Sequence, residues 1–110
     1  MARELRDTDG FGFYGWMVNR LHLSGGELVA FALVHQFTQS DAGRYIGGSG
    51  YVSAWLGCSE KTARKHLHSL ADKGLVVIED VTINGVTYRN YRVDWRGVEK
   101  ISPTPGKNFR

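Results

Sequence analysis

The sequence predicts one mainly α domain, a three-helix core closed by a small β-hairpin and preceded by an aromatic arm. Three observations predict it. Residues 24–39 form a helical stretch with almost no polar side, residues 49–74 hold two short amphipathic helices joined by a glycine turn, and residues 75–95 hold two β-branched runs joined by Asn84-Gly85. At 110 residues, 42% hydrophobic and 23% charged, the chain has room for one core and not for a second full domain. The single cysteine, Cys58, excludes an intrachain disulfide framework.

The arm covers residues 1–23. Phe11, Phe13, Tyr14 and Trp16 alternate with glycine there, which suits a packed segment better than a linker, and residues 14–21 leave room for a short helix. The domain proper runs over 24–95. Ser24 and Glu27 have the S-x-x-E spacing of a capping box, and Leu23 and Leu28 stand where a hydrophobic staple needs them. The helix that starts there carries Leu28, Val29, Phe31, Ala32, Leu33, Val34 and Phe37, so apolar side chains run nearly round its circumference and it belongs in the middle of the core. Residues 40–43 read as a turn and 44–46 as a short strand.

The next helix starts near Ser49, turns Tyr51, Val52, Trp55 and Leu56 inward and stops at Gly57. Ser59 caps its successor, with Glu60 at the positive end of the helix dipole; Ala63, Leu67 and Leu70 follow at helical spacing, and Gly74 ends it. Asn-Gly at 84–85 is a strong hairpin signal because a type I′ turn needs positive φ at both central residues. That turn sets Asp80 across from Arg89. Inward alternation through Val86 and Tyr88, then Tyr91, Val93 and Trp95, changes phase between Tyr88 and Tyr91, which predicts a β-bulge near Arg89 or Asn90. Residues 96–110 read as a tail or the start of a linker.

Two short helices joined by Gly57, the second ending in Leu70-Ala71-Asp72-Lys73-Gly74 and running into an Asn-Gly hairpin, resemble a winged helix-turn-helix domain. In that family Gly57 matches the turn glycine, Ser53 the small residue that lets the helices approach, and Val52, Leu56, Ala63 and Leu67 the buried positions. His66 departs from the pattern, which is usually apolar there. At finer grain, Tyr14-Gly15-Trp16-Met17, the 23–28 segment and Gly47-Gly48-Ser49-Gly50-Tyr51 leading to Trp55-Leu56-Gly57 are similar to the N-terminal domains of phage and plasmid replication-initiator or replisome-organiser proteins. The resemblance implies DNA binding in replication initiation or transcription regulation.

The residues carry the same expectation without the family. Net charge is +3; residues 1–58 hold four bases and five acids, whereas 59–110 hold ten bases and six acids. With Ala63, Leu67 and Leu70 inward, the second helix turns Lys61, Lys65 and His68 outward and Arg64 to the flank. Such a cationic helix fits the major groove, with Ser59 and Thr62 hydroxyls near phosphate or base. Asn84 at the hairpin tip and Arg89 beside it support the contact from a wing. Double-stranded DNA is therefore the expected partner. A charged helix face is more often merely solvated, but the short helix before it and the hairpin after it make the DNA reading the stronger one here.

No catalytic residues, metal site or cofactor are expected. Cys58 lies in a two-residue turn with no histidine placed beside it by the sequence, and His66 and His68 point some 200° apart on a helix and cannot share one metal. Gly47-Gly48-Ser49-Gly50 lacks the Gly-Lys-Ser/Thr of a phosphate loop. No apolar run approaches the ~20 residues that span a bilayer, and residues 2–10 contain three acids and no apolar signal segment, so a cytoplasmic location and no membrane partner are expected. The competing class is a protein-interaction or oligomerisation module, with the aromatic arm offering a homodimer surface.

Overall fold

The computed structural model describes residue 7, residues 10–38 and residues 48–101. The turn expected at 40–43 and the strand expected at 44–46 lie outside the described residues. In chain order the elements are α1 (Gly15–Asn19), α2 (Gly25–Thr38), α3 (Gly48–Leu56), α4 (Glu60–Asp72), β1 (Val76–Ile83), β2 (Val86–Val93) and α5 (Trp95–Ile101). Among the described residues, five helices and one two-stranded antiparallel hairpin make a winged-helix-like fold.

α2 is the axis. Residues 30–35 are buried without interruption, as a helix apolar on all sides must be when other elements surround it. Met17 of α1, Tyr51 and Val52 of α3, and Ala63, Leu67 and Leu70 of α4 complete the helical part of the core, and Leu75, Val76, Tyr91, Val93 and Val98 close it. Each large apolar side chain so buried contributes roughly 1.5–3 kcal/mol relative to exposure. The arm joins this core through Phe11 and Trp16, while Phe13 and Tyr14 remain half exposed.

α3 ends at Gly57, whose φ of +64° is the left-handed conformation that a side chain disfavours. Only Cys58 and Ser59 then separate it from α4. Ser59 caps α4 by accepting the Thr62 amide at 3.1 Å. The S-x-x-E pair at the start of α2 behaves differently from expectation. Glu27 does not turn back to Ser24; its carboxylate accepts from Ser69 Oγ and Lys73 Nζ of α4, so the acid that opens one helix anchors another. That arrangement requires tertiary proximity, which local spacing cannot reveal.

The hairpin turns at Asn84 (φ +52°) and Gly85 (φ +78°), the positive pair of a type I′ turn. Its register runs unbroken from Ile83↔Val86 to Val76↔Val93, and Asp80 faces Arg89 as expected. The bulge expected near Arg89 or Asn90 is absent. Apolar side chains instead change sides. Near the base, Val76, Tyr91 and Val93 turn to the core; beyond the Asp80–Arg89 pair the same side carries Thr82 and Thr87, and Val81, Ile83, Val86 and Tyr88 occupy the reverse. Val86, expected inward, is 51% exposed. An inversion of amphipathicity mimics a bulge in sequence because both shift the phase of the apolar residues by one.

Residues 95–101, expected to start a tail at 96, form α5 instead. Asp94 caps it, its carboxylate accepting the Gly97 amide at 3.2 Å and its carbonyl the Val98 amide at 3.0 Å. Val98 is fully buried. Gly97 crosses the Gly74 carbonyl so closely that a Cβ there would overlap its oxygen. This helix is held by tertiary contact: seven residues are too few to persist alone.

Candidate nucleic-acid interface

α4 divides into two sides. Ala63, Leu67 and Leu70 have no exposed surface, and that fixes the rotation of the helix. Ser59, Lys61, Thr62, Arg64, Lys65 and His68 are all exposed, so every α4 residue singled out from sequence lies on the outer side. Three cations stand there against one acid, Glu60, in the first turn. The Ser59 hydroxyl is engaged within the helix: it accepts from the Thr62 amide and donates to Thr62 Oγ1 at 3.1 Å.

The C-terminal half of α4 is tied to the start of α2. Glu27 takes Ser69 and Lys73; burial pushes its carboxyl up, and the hydrogen bonds from Lys73 and Ser69 with the charges of Lys73 and His66 outweigh that and hold it below the ordinary range. His66 lies over Gly26, where a Cβ would collide with the imidazole. The polar residue at a usually apolar position is thus accommodated by a glycine one helix away. Sequence reasoning missed this anchor; its one available signal was His66 itself.

In the hairpin, Arg89 Nε stands 3.6 Å from Asp80 Oδ1 with both side chains more than half exposed, and Arg92 Nε donates to Glu79 Oε1 at 3.1 Å. Two acids and two bases are therefore matched across the ladder, and the hairpin offers no net charge. Thr82 and Thr87 hydroxyls pair at 3.0 Å nearer the tip. Asn84 sits at the tip, exposed, four residues beyond the Asp80–Arg89 pair, about 13 Å at the usual rise per residue.

α4 and the hairpin meet at Tyr91. Burial pushes its phenol above the ordinary range, and the nearby positive charges of Arg89 and Arg64 partly offset that. Arg64 of α4 and Arg89 of β2 both act on this one phenol. Asp80, Arg89, Thr82 and Thr87 share one side of the hairpin, the side that carries Val76, Tyr91 and Val93 nearer the base, and Asn84 stands at the tip.

Other chemistries find little here. Among the described residues no three His, Cys, Asp or Glu side chains gather to hold a metal ion. Cys58 packs half buried against the core. No helix among them is long and apolar enough to cross a membrane.

No family model and no curated protein matches the chain. Among solved structures it is similar to a possible transcriptional regulator from Methanosarcina mazei Go1, with a TM-score of 0.51, 14% identity, and coverage of 77% of this chain and 72% of that one. At that identity the likeness concerns the fold.

Proposed function

We propose that this chain is a non-catalytic module that binds duplex DNA sequence-specifically, in transcription regulation or replication initiation, and acts in the cytoplasm. One observation carries the reading: α4 buries its apolar stripe completely and turns Lys61, Arg64 and Lys65 outward with no acid partner among the described residues. The likeness to a possible transcriptional regulator favours the transcriptional branch.

In this reading α4 enters the major groove. Lys61, Lys65 and Arg64 are the principal contacts, Thr62, Ser59 and His68 assist, and Arg89 and Asn84 steady the duplex from the wing. Glu60 serves the helix dipole, since it stands in the first turn, where negative charge is favourable. The competing reading, a protein-interaction module, draws on Phe13, Tyr14 and Val18, which are 46–53% exposed on the arm and α1 and offer a surface for a second copy.

The deciding experiment is the Lys61→Ala, Arg64→Ala, Lys65→Ala triple variant, titrated with duplex DNA at low and moderate salt. Three lost phosphate contacts should lower the salt slope by about 2.7 and weaken binding by roughly a hundredfold or more. An intact fold with parental affinity assigns the chain to protein interaction.

A further inference from the structure

His35 sits in the last turn of α2 with 4% of its surface exposed, and its Nε2 is buried with no hydrogen-bond partner among the described residues. Four aromatic rings enclose it. Tyr14 of the arm is 5.3 Å away between centroids, Trp16 of α1 5.5 Å, Trp95 of α5 5.6 Å, and Phe31 of α2 itself 6.5 Å. Two segments 60 and more residues apart in the chain are thus held against one another over a single imidazole.

We infer that His35 is a proton-operated clasp: neutral, it lets the arm and α5 close over α2, and protonated, it releases them. The imidazolium needs hydration or an anionic acceptor. None is at hand, because the elements packed on the ring present Tyr14, Trp16, Phe31 and Trp95, of which only the Tyr14 phenol titrates, and no charged side chain acts on it. Ring faces attract a cation, but by less than the hydration that burial removes. Burial accordingly holds the His35 pKa below its ordinary value.

The two partners can also let go. Among the described residues, the segment before α1 is fastened over this site by one exposed hydrogen bond, from Gln36 Nε2 to the Gly10 carbonyl at 3.1 Å, and by the contact of Phe11 with Trp55. A cavity of about 120 Å³ lined by Gly12, Tyr14, His35 and Gln36 opens beside the ring and gives water a route to it once the arm moves. α5 is a seven-residue helix that depends on its docking.

The sign follows from linkage. Released, the imidazole regains its ordinary value of 6.5; docked, its value is lower. Docking is therefore at full strength above 6.5, weakens by up to about tenfold per pH unit as pH falls toward the docked value, and is constant below it.

Hydrogen exchange of the whole chain at pH 7.5 and 5.5, corrected for the intrinsic pH dependence of exchange, tests this. Amides in 10–14 and 95–101 should exchange up to about tenfold faster at pH 5.5 relative to those of α4 and the hairpin. His35→Phe and His35→Gln, which cannot titrate, should remove the difference, and either variant suffices if the other misfolds. The His35 ring proton resonance of the unaltered protein should titrate with the same midpoint as the exchange. An acceleration that persists in a non-titrating variant, that spreads evenly over α4 and the hairpin, or that has a different midpoint from the ring overturns the clasp; so does its absence.

Discussion

α4 and the hairpin both present charged side chains to solvent and treat charge in opposite ways. α4 turns Lys61, Arg64 and Lys65 outward and keeps its acid-base contact, Lys73 with Glu27, at the far end of the helix. The hairpin matches Asp80 with Arg89 and Glu79 with Arg92, strand against strand. The difference separates two tasks. A surface that satisfies its own charges shapes a contact, whereas one that leaves cations uncompensated draws an anion to it.

The largest expected effect strikes the foundation of α4. Leu67→Ala opens a cavity at a residue with no exposed surface and should cost about 2–5 kcal/mol of stability, read by urea denaturation. A loss below ~1 kcal/mol would mean that α4 is not seated by its inner stripe. Next comes the anchor. Glu27→Ala leaves Ser69 and Lys73 without their shared acceptor and should cost roughly 1 kcal/mol, the low end for charged hydrogen bonds because Lys73 is half exposed.

The same carboxylate gives a pH signature. Its folded value lies below 4.5, so its contribution is present above 4.5 and disappears as pH falls through the folded value. The Glu27→Ala protein should therefore lose less stability on acidification than its parent, and an identical acid limb in both would remove Glu27 from the account. The smallest effect falls on the hairpin. Asp80→Asn frees Arg89, and affinity for duplex DNA should rise by roughly two- to fivefold at low salt with stability changed by less than about 0.5 kcal/mol. Unchanged affinity would show Arg89 to be idle in binding, and sharpen the contrast with α4.

Much of this was legible in the residues, and the omissions share a cause. The bounds of α4 and its outer face followed from Ser59, the Ala63, Leu67 and Leu70 spacing and Gly74, all local signals. Asn84-Gly85 fixed the hairpin register and with it the Asp80–Arg89 pair. The missed features depend on elements distant in sequence. Glu27 reaches 42 residues ahead to Ser69, His66 rests on Gly26, and Arg64 and Arg89 act together on the Tyr91 phenol. α5 offers too few residues for a periodic signal. The reversal of the hairpin's apolar side left the phase shift visible and its origin undecided, since strand alternation records a change of side but not whether a residue was inserted.

The crossing of Gly97 over the Gly74 carbonyl bears on the order in which the molecule assembles. α3, α4 and the hairpin follow one another in the chain, so contacts between successive members close short loops, which favours their early formation. α5 brings Trp95 to His35 and Trp16, closing a far longer loop whose entropy must be met before any contact rewards it. Loop-closure entropy therefore predicts that this end closes late on the way to the native state. Substitutions at Gly97 should leave the rate of folding almost unchanged and express themselves in the rate of unfolding, which makes this glycine a determinant of native lifetime.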